Sequence, residues 1–408
     1  MWVASFFARS IRCLALLTAL AVPFCASPKA IAQCHNDFNF GIASVGAGGV
    51  KNLNPTTSPL ISITNTVNTA FFTNTTAFVS SPGALAANQQ SGGVWGRAVG
   101  GFVDSETRTI DKPSAVPISP GEVTTGTQLC HQSNHHTYAG FQVGADIGKL
   151  NIGNSGASWH FGIMSGFLAA SAKDTTPGIS DGTLNNTYAP GDLRAQFQVP
   201  FAGLYSVLTQ GNFVADAQVR WDWYQSRSSS PGNDYFGALN DAQGVSVAGG
   251  IYYRLMLSQS WFLEPSIGGV WSRVQVDPLT TPLALGSEAR GTLRVEDIDS
   301  LLGRASVRVG LNLTQGIYAW QPFAVASVIH EFADDVKSTL SVSDPPNALF
   351  DGMVFSSSTA RVGTYGQFGA GLGLVAGNSG WTGYGRVDVK VGENVEGVGA
   401  NMGLRYQW

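Results

Sequence analysis

The chain has six histidines and four cysteines, the residues best suited to hold a metal ion or to act in catalysis. Cys34 is followed by His35 and Cys130 by His131, with His135 and His136 close behind. A structural zinc ion needs four converging Cys or His ligands, and these spacings match no standard zinc pattern. Cys13 and Cys25 fall in a segment that reads as a secretory signal, so an exported chain keeps Cys34 and Cys130. That even number, in an oxidising compartment, leaves open one disulfide or two free thiols. A catalytic nucleophile needs an adjacent, oriented base, whereas the histidines are scattered, with His160 and His330 in separate alternating segments. The expectation is no catalytic residues, no metal and no cofactor.

The second group of candidates is ionic. Arg97, Asp146, Arg194, Asp216, Arg220, Asp222, Arg254, Glu264, Arg304, Arg308, Arg361, Arg386, Asp388, Lys390 and Arg405 all sit on the polar parity of alternating segments. Only 12% of the chain is charged, and charges withdrawn from water must be paired. Turned into a narrow lumen, these residues would form ion pairs and hydrogen bonds that fill it. Their positive excess also suits an anion-selective pore.

Such a lumen needs strands. Phe213, Ala215, Ala217, Val219, Trp221 and Trp223 alternate with Asn212, Val214, Asp216, Gln218, Arg220 and Asp222, the period of two that marks a strand. The closing VGANMGLRYQW follows the same rule. Strands are predicted near 94–104, 136–149, 157–170, 194–208, 212–225, 245–257, 261–274, 302–313, 318–331, 361–376, 381–391 and 398–408. Long connections (105–135, 171–193, 226–244, 275–301, 332–360) alternate with short ones. An even number of staves with that asymmetry is the pattern of a transmembrane barrel.

Alternation alone does not separate a soluble sandwich, oily face inward, from a membrane barrel, oily face outward. The low charge, the secretion signal and the aromatics near strand ends (Trp159, Trp221, Trp261, Trp381, Tyr406, Trp408) favour lipid. After the signal no apolar run is long enough for a spanning helix, which leaves a closed barrel as the way to satisfy every backbone group. The net charge of −4 gives no reason to expect nucleic acid.

Arg9 and Arg12 precede the apolar run Cys13–Phe24 and the small-residue site Ala30-Ile31-Ala32, the layout of a cleaved signal. The expected organisation is a signal over 1–32, an N-terminal segment over 33–92 and a barrel over 93–408. Ile63 to Ser81 is rich in Thr and Asn, a mediocre helix in water that a polar lumen would suit better.

Four stretches carry a family resemblance: GGVWGRAVGG (Gly92–Gly101), DSLLGRASVRVGLNL (Asp299–Leu313), WQPFAVASVIHEF (Trp320–Phe332) and GLRYQW (Gly403–Trp408). In order and spacing they resemble the translocator domain of type V autotransporters, over about residues 70–408. The resemblance implies an all-β, twelve-stranded antiparallel barrel in the outer membrane of a Gram-negative bacterium. A helix, here about 59–87, would thread the lumen, and the N-terminal segment would be carried to the cell surface. Outer-membrane lipid, the secretion translocon, periplasmic chaperones and the barrel assembly machinery are the implied partners of a monomer. Tyr406 and Trp408 resemble the C-terminal aromatic signal by which such proteins are handed to that machinery. Residues 33–58 are too few for the family's usual passenger: either the passenger has been lost, or a short surface peptide is the whole cargo. Asn74 and Asn88 are isolated, and the self-cleavage some members perform at an Asn pair is not carried over. If the N-terminal segment passes outward, Cys34 emerges on the side of Cys130, and the two could pair. The alternatives are a free-standing porin-like pore and an adhesin acting through its loops.

Overall fold

The computed structural model describes residues 34–36, 57–72, 86–113, 116–119, 122–124, 128–176, 191–230, 235–282, 290–343, 351–352, 354–377 and 379–408. The signal expected over 1–32 and residues 73–85 of the expected helix lie outside the described residues.

Twelve antiparallel staves follow one another in chain order: β1 (Gln89–Pro113), β2 (Gln128–Leu150), β3 (Ala157–Thr176), β4 (Gly191–Gln210), β5 (Phe213–Ser230) and β6 (Tyr235–Tyr253), then β7 (Trp261–Val276), β8 (Ile298–Leu311), β9 (Tyr318–Glu331), β10 (Thr364–Ala376), β11 (Trp381–Gly392) and β12 (Val395–Gln407). β12 pairs back onto β1 from Gly93↔Gln407 to Ser105↔Val395, so the barrel wall has no unpaired edge for lipid to meet. Short turns join the staves at one end, here the inner end. They are closed by residues able to adopt a left-handed backbone, such as Asn151 (φ 47), Asn154 (φ 63) and Gly211 (φ 57).

At the outer end the staves run further than the sequence suggests. The strand expected over 94–104 spans Gln89–Pro113, and β5 and β6 replace most of the loop expected over 226–244 with strand. Shorter strands, Arg290–Val295, Val336–Ser343 and Val354–Thr359, continue the wall upward, the last returning onto β1 at Thr109–Pro113.

The outer surface explains that extension. Ile147, Ile163, Ile267, Val328, Phe368, Val387 and Met402 are exposed in a belt. Exposed Trp159, Trp261, Trp381 and Trp408 lie at its inner margin, and Trp221, Trp223 and Trp271 further out. Trp261 and Trp271 share β7; at about 3.3 Å per residue and a tilt near 40°, their separation corresponds to about 25 Å of height, that of a lipid-facing band. Beyond the outer girdle the rule reverses. On β4, Ala195, Phe197 and Val199 are buried inside while Arg194, Gln196 and Gln198 are exposed outside. There the wall stands in water, and apolar side chains turn inward as they do in a soluble protein.

Among the described residues the interior holds one helix, α1 (Thr57–Ala70). Pro59 falls in its first turn, where a missing N–H breaks no intrahelical bond. Ser58, Ser62, Thr66 and Thr69 recur at helical spacing on one side, and Leu60, Ile63, Val67 and Phe71 on another. The apolar side packs against Leu168, Phe197, Val199, Phe201, Tyr224 and Ile298 of the wall. Each fully buried Leu, Ile or Phe contributes about 1.5–3 kcal/mol, which offsets the weak intrinsic helicity of this Thr-rich sequence.

Candidate functional site

The site is the lumen and the segment that fills it. Along the polar side of α1, Ser58 Oγ lies 2.9 Å from Thr107 Oγ1, and Ser62 Oγ lies 3.3 Å from Ser105 Oγ. Both partners belong to the outer half of β1. His136 on β2 bridges two turns of the helix: Nδ1 is 3.0 Å from Ser62 Oγ and Nε2 is 2.7 Å from Thr66 Oγ1. A neutral imidazole donates from one nitrogen and accepts at the other, and the two hydroxyls match either tautomer. Further round the wall, Asn68 donates to Ser272 Oγ at 2.8 Å and Lys390 donates to Thr69 Oγ1 at 3.3 Å.

The lower end of the helix meets three arginines. Arg97 donates to the Phe71 carbonyl at 2.7 Å, Arg220 to the Val67 carbonyl at 3.2 Å, and Arg304 to the Phe72 carbonyl. These carbonyls belong to the negative end of the helix dipole, where cations are favoured. The guanidinium carbons also stand over aromatic rings, Arg97 5.3 Å and Arg220 5.9 Å from the Phe71 centroid, and Arg304 4.4 Å from that of Phe72. The arrangement is a clamp with charge, hydrogen bonds and ring faces acting together on Val67, Phe71 and Phe72.

Nearer the inner end a second cluster ties the wall to itself. Buried Asp146 on β2 accepts from Arg405 Nη1 at 2.6 Å and Nη2 at 2.9 Å, and from Tyr205 Oη at 2.7 Å. His160 Nδ1 lies 2.9 Å from its other oxygen, and Trp95 Nε1 donates to Tyr205 Oη at 2.6 Å. Arg405, on β12, reaches β2 by crossing β1 at Gly93, where a Cβ would stand 2.4 Å from Arg405 Nη2. Glycine is needed there because the guanidinium occupies the space.

Arg97, Asp146, Asp216, Arg220, Asp222, Arg304, Arg386, Asp388, Lys390 and Arg405 are buried. Arg220 pairs with Asp222 and Arg386 with Asp388, each pair two residues apart on one strand face. Arg254, Arg308 and Glu264 form a partly buried group in which both arginines bind the glutamate. Two assignments are corrected. Arg194 is on the water-exposed outer face of β4 because the strand has already left the lipid band. Arg361 lies in the connection before β10, which begins at Thr364, and donates to the carbonyls of Asp334 and Asp299. The adjacent histidines are separated by the strand's own alternation: His135 is exposed beside Asp104 at 2.7 Å, and His136 is buried against the helix. Tyr406 packs on Trp381 and Trp408 with centroids 5.0 and 6.0 Å away, on the outer face.

Sequence reasoning did not single out Ser62, Thr66, Phe72, Trp95 or Tyr205. His136 was noted only as a conceivable metal ligand. Its position on the polar parity of a strand, two residues from Tyr138, was the available signal for a lumen role.

The filled lumen, the closing seam and the two girdles describe a membrane barrel that holds a chain segment. A family model, the autotransporter β-domain, matches residues 121–388. The chain belongs to the autotransporter β-domain family. Among solved structures, the transport unit of the autotransporter AIDA-I from Escherichia coli is similar at 16% identity and a TM-score of 0.54, over 85% of this chain and 97% of that one. The β domain of the Bordetella autotransporter BrkA is similar at 18% identity and a TM-score of 0.51, over 77% of this chain and 98% of that one. A comparison with curated protein sequences gives no match. In this autotransporter the β-domain is an outer-membrane translocator barrel, and α1 occupies the lumen that such a barrel encloses.

Proposed function

We propose that this autotransporter carries its own short N-terminal segment, residues 33–56, to the cell surface and keeps α1 as the plug. The orientation of the helix supports this reading. Ser58 meets Thr107 toward the outer rim, and Phe71 meets Arg97 nearer the inner end. A chain that enters β1 at its inner end and reaches Thr57 at the outer rim has passed through the barrel. The segment would be exported by the secretion translocon after signal removal near Ala32, and chaperones and the assembly machinery would receive the barrel through its terminal aromatics. The barrel acts as a single copy, and its role is transport and display, without catalysis.

Lys51 is the one Lys or Arg between residues 33 and 56, which gives a direct test. Trypsin added to intact cells should cut after Lys51. Cleavage only after the outer membrane is permeabilised would overturn the proposal.

A further inference from the structure

Residues 34–36 form a short strand paired antiparallel with the outer end of β2, in the register Cys34↔Cys130, His35↔Leu129 and Asn36↔Gln128. The place it takes is specific. Among the described residues β3 pairs with β2 from Lys149 back to Ser133, and beyond Ser133 the short strand lies on that edge of β2. On its other side, Cys130 is paired with Thr109 of β1. Thr109 is two residues above Thr107, the partner of Ser58 at the start of α1. The short strand and the start of α1 thus lie at one level of the outer rim.

Directly opposed residues of an antiparallel pair have Cα atoms about 4.5–5.5 Å apart, inside the range of about 4.4–6.8 Å that a disulfide spans. Cys34 and Cys130 are the only cysteines after residue 32. A three-residue strand offers few backbone hydrogen bonds against the loss of freedom in fixing it, so a covalent tie at this register has a clear structural use.

We infer that Cys34 and Cys130 form a disulfide at the outer rim, which tethers the N-terminal segment to β2 so that it is retained and not released as a passenger. The inference rests on the proposed display of the N-terminal segment. Chemically, one thiolate attacks the disulfide of a thiol–disulfide exchange partner, forming a mixed disulfide and releasing one thiol. The second cysteine's thiolate then displaces the other. One Sγ–Sγ bond forms, the partner's bond breaks, and the partner leaves with two electrons and two protons as two thiols.

The bond is tested first on the full chain purified from outer membranes with free thiols blocked by iodoacetamide. Digestion without reductant should give one linked species containing the peptides of Cys34 and Cys130, separable by reductant. Carbamidomethyl groups on both cysteines, or Cys34 joined to another chain or to a small thiol, would overturn the inference. The consequence is tested on trypsin-treated intact cells. The fragment ending at Lys51 should stay with the barrel and be released by reductant, whereas C130S should release it without reductant. Release from the wild type without reductant would also overturn the inference. Failure of trypsin to cut intact cells, with the linked species still present, would instead count against surface display. A C34S chain keeps β2 unchanged and serves where C130S does not assemble.

Discussion

Arg405 and Asp146 bind each other across a strand that belongs to neither of them. The guanidinium leaves the last stave, passes over Gly93 of the first, and makes two hydrogen bonds to a carboxylate on the second. Both side chains are fully buried. The backbone seam between β1 and β12 is therefore backed by a side-chain clip that fixes three neighbouring staves.

Removing one side of that clip strands the other as a buried charge, a loss of about 3–5 kcal/mol. R405A should lower the temperature at which the compact barrel converts to the unfolded band on SDS gels. The double variant R405A/D146A should recover part of the loss, because no isolated charge remains. A double variant whose loss equals the sum of the two single losses would show that the groups do not act together.

The three-arginine clamp makes a prediction about current. R97A and R304A each leave a buried carbonyl of Phe71 or Phe72 without a donor, at about 1–3 kcal/mol. In planar bilayers the full chain should remain largely closed and these variants should open intermittently. A chain lacking residues 33–72 should conduct steadily. Equal conductance of the full and shortened chains would contradict a plugged lumen and favour a free-standing pore.

Two arginine substitutions locate the lipid boundary. Ile163 faces outward within the belt, 63% exposed, and I163R should destabilise the barrel by about 2–4 kcal/mol. Gln196 is also outward but lies beyond the outer girdle, so Q196R should change stability little. Urea unfolding of the two variants in lipid vesicles measures the difference, and equal losses would place both residues in the same solvent.

These positions also show how far the sequence could be read. Alternation located all twelve staves, since a two-residue period in Val, Trp and Ala survives any solvent. It put Asp216, Arg220 and Asp222 on one polar face, and all three are buried. It failed at Arg194, where the wall rises into water and the inner face becomes the oily one. The lengths were short for the same reason: a bilayer crossing was the only ruler available. The ion pairs Arg220–Asp222 and Arg386–Asp388 were legible as neighbours on one face. The clamp was not, because its acceptors are backbone carbonyls of a distant helix, and no side-chain pattern marks them.

Trp408 closes the chain by exchanging backbone hydrogen bonds with Gly92, at 3.0 and 3.2 Å, while its ring is exposed. Deleting Trp408 should lower the amount of heat-modifiable barrel recovered from outer membranes several-fold, and W408F should largely restore it. If W408F assembles as poorly as the deletion, a general aromatic signal is excluded.

The central claim, that a plugged barrel displays its own short N-terminal segment, is tested most directly by inserting an epitope near residue 40 and labelling unpermeabilised cells with antibody. Labelling equal to that seen after permeabilisation is the predicted result. Labelling that appears only after permeabilisation, with the barrel correctly assembled, would contradict it.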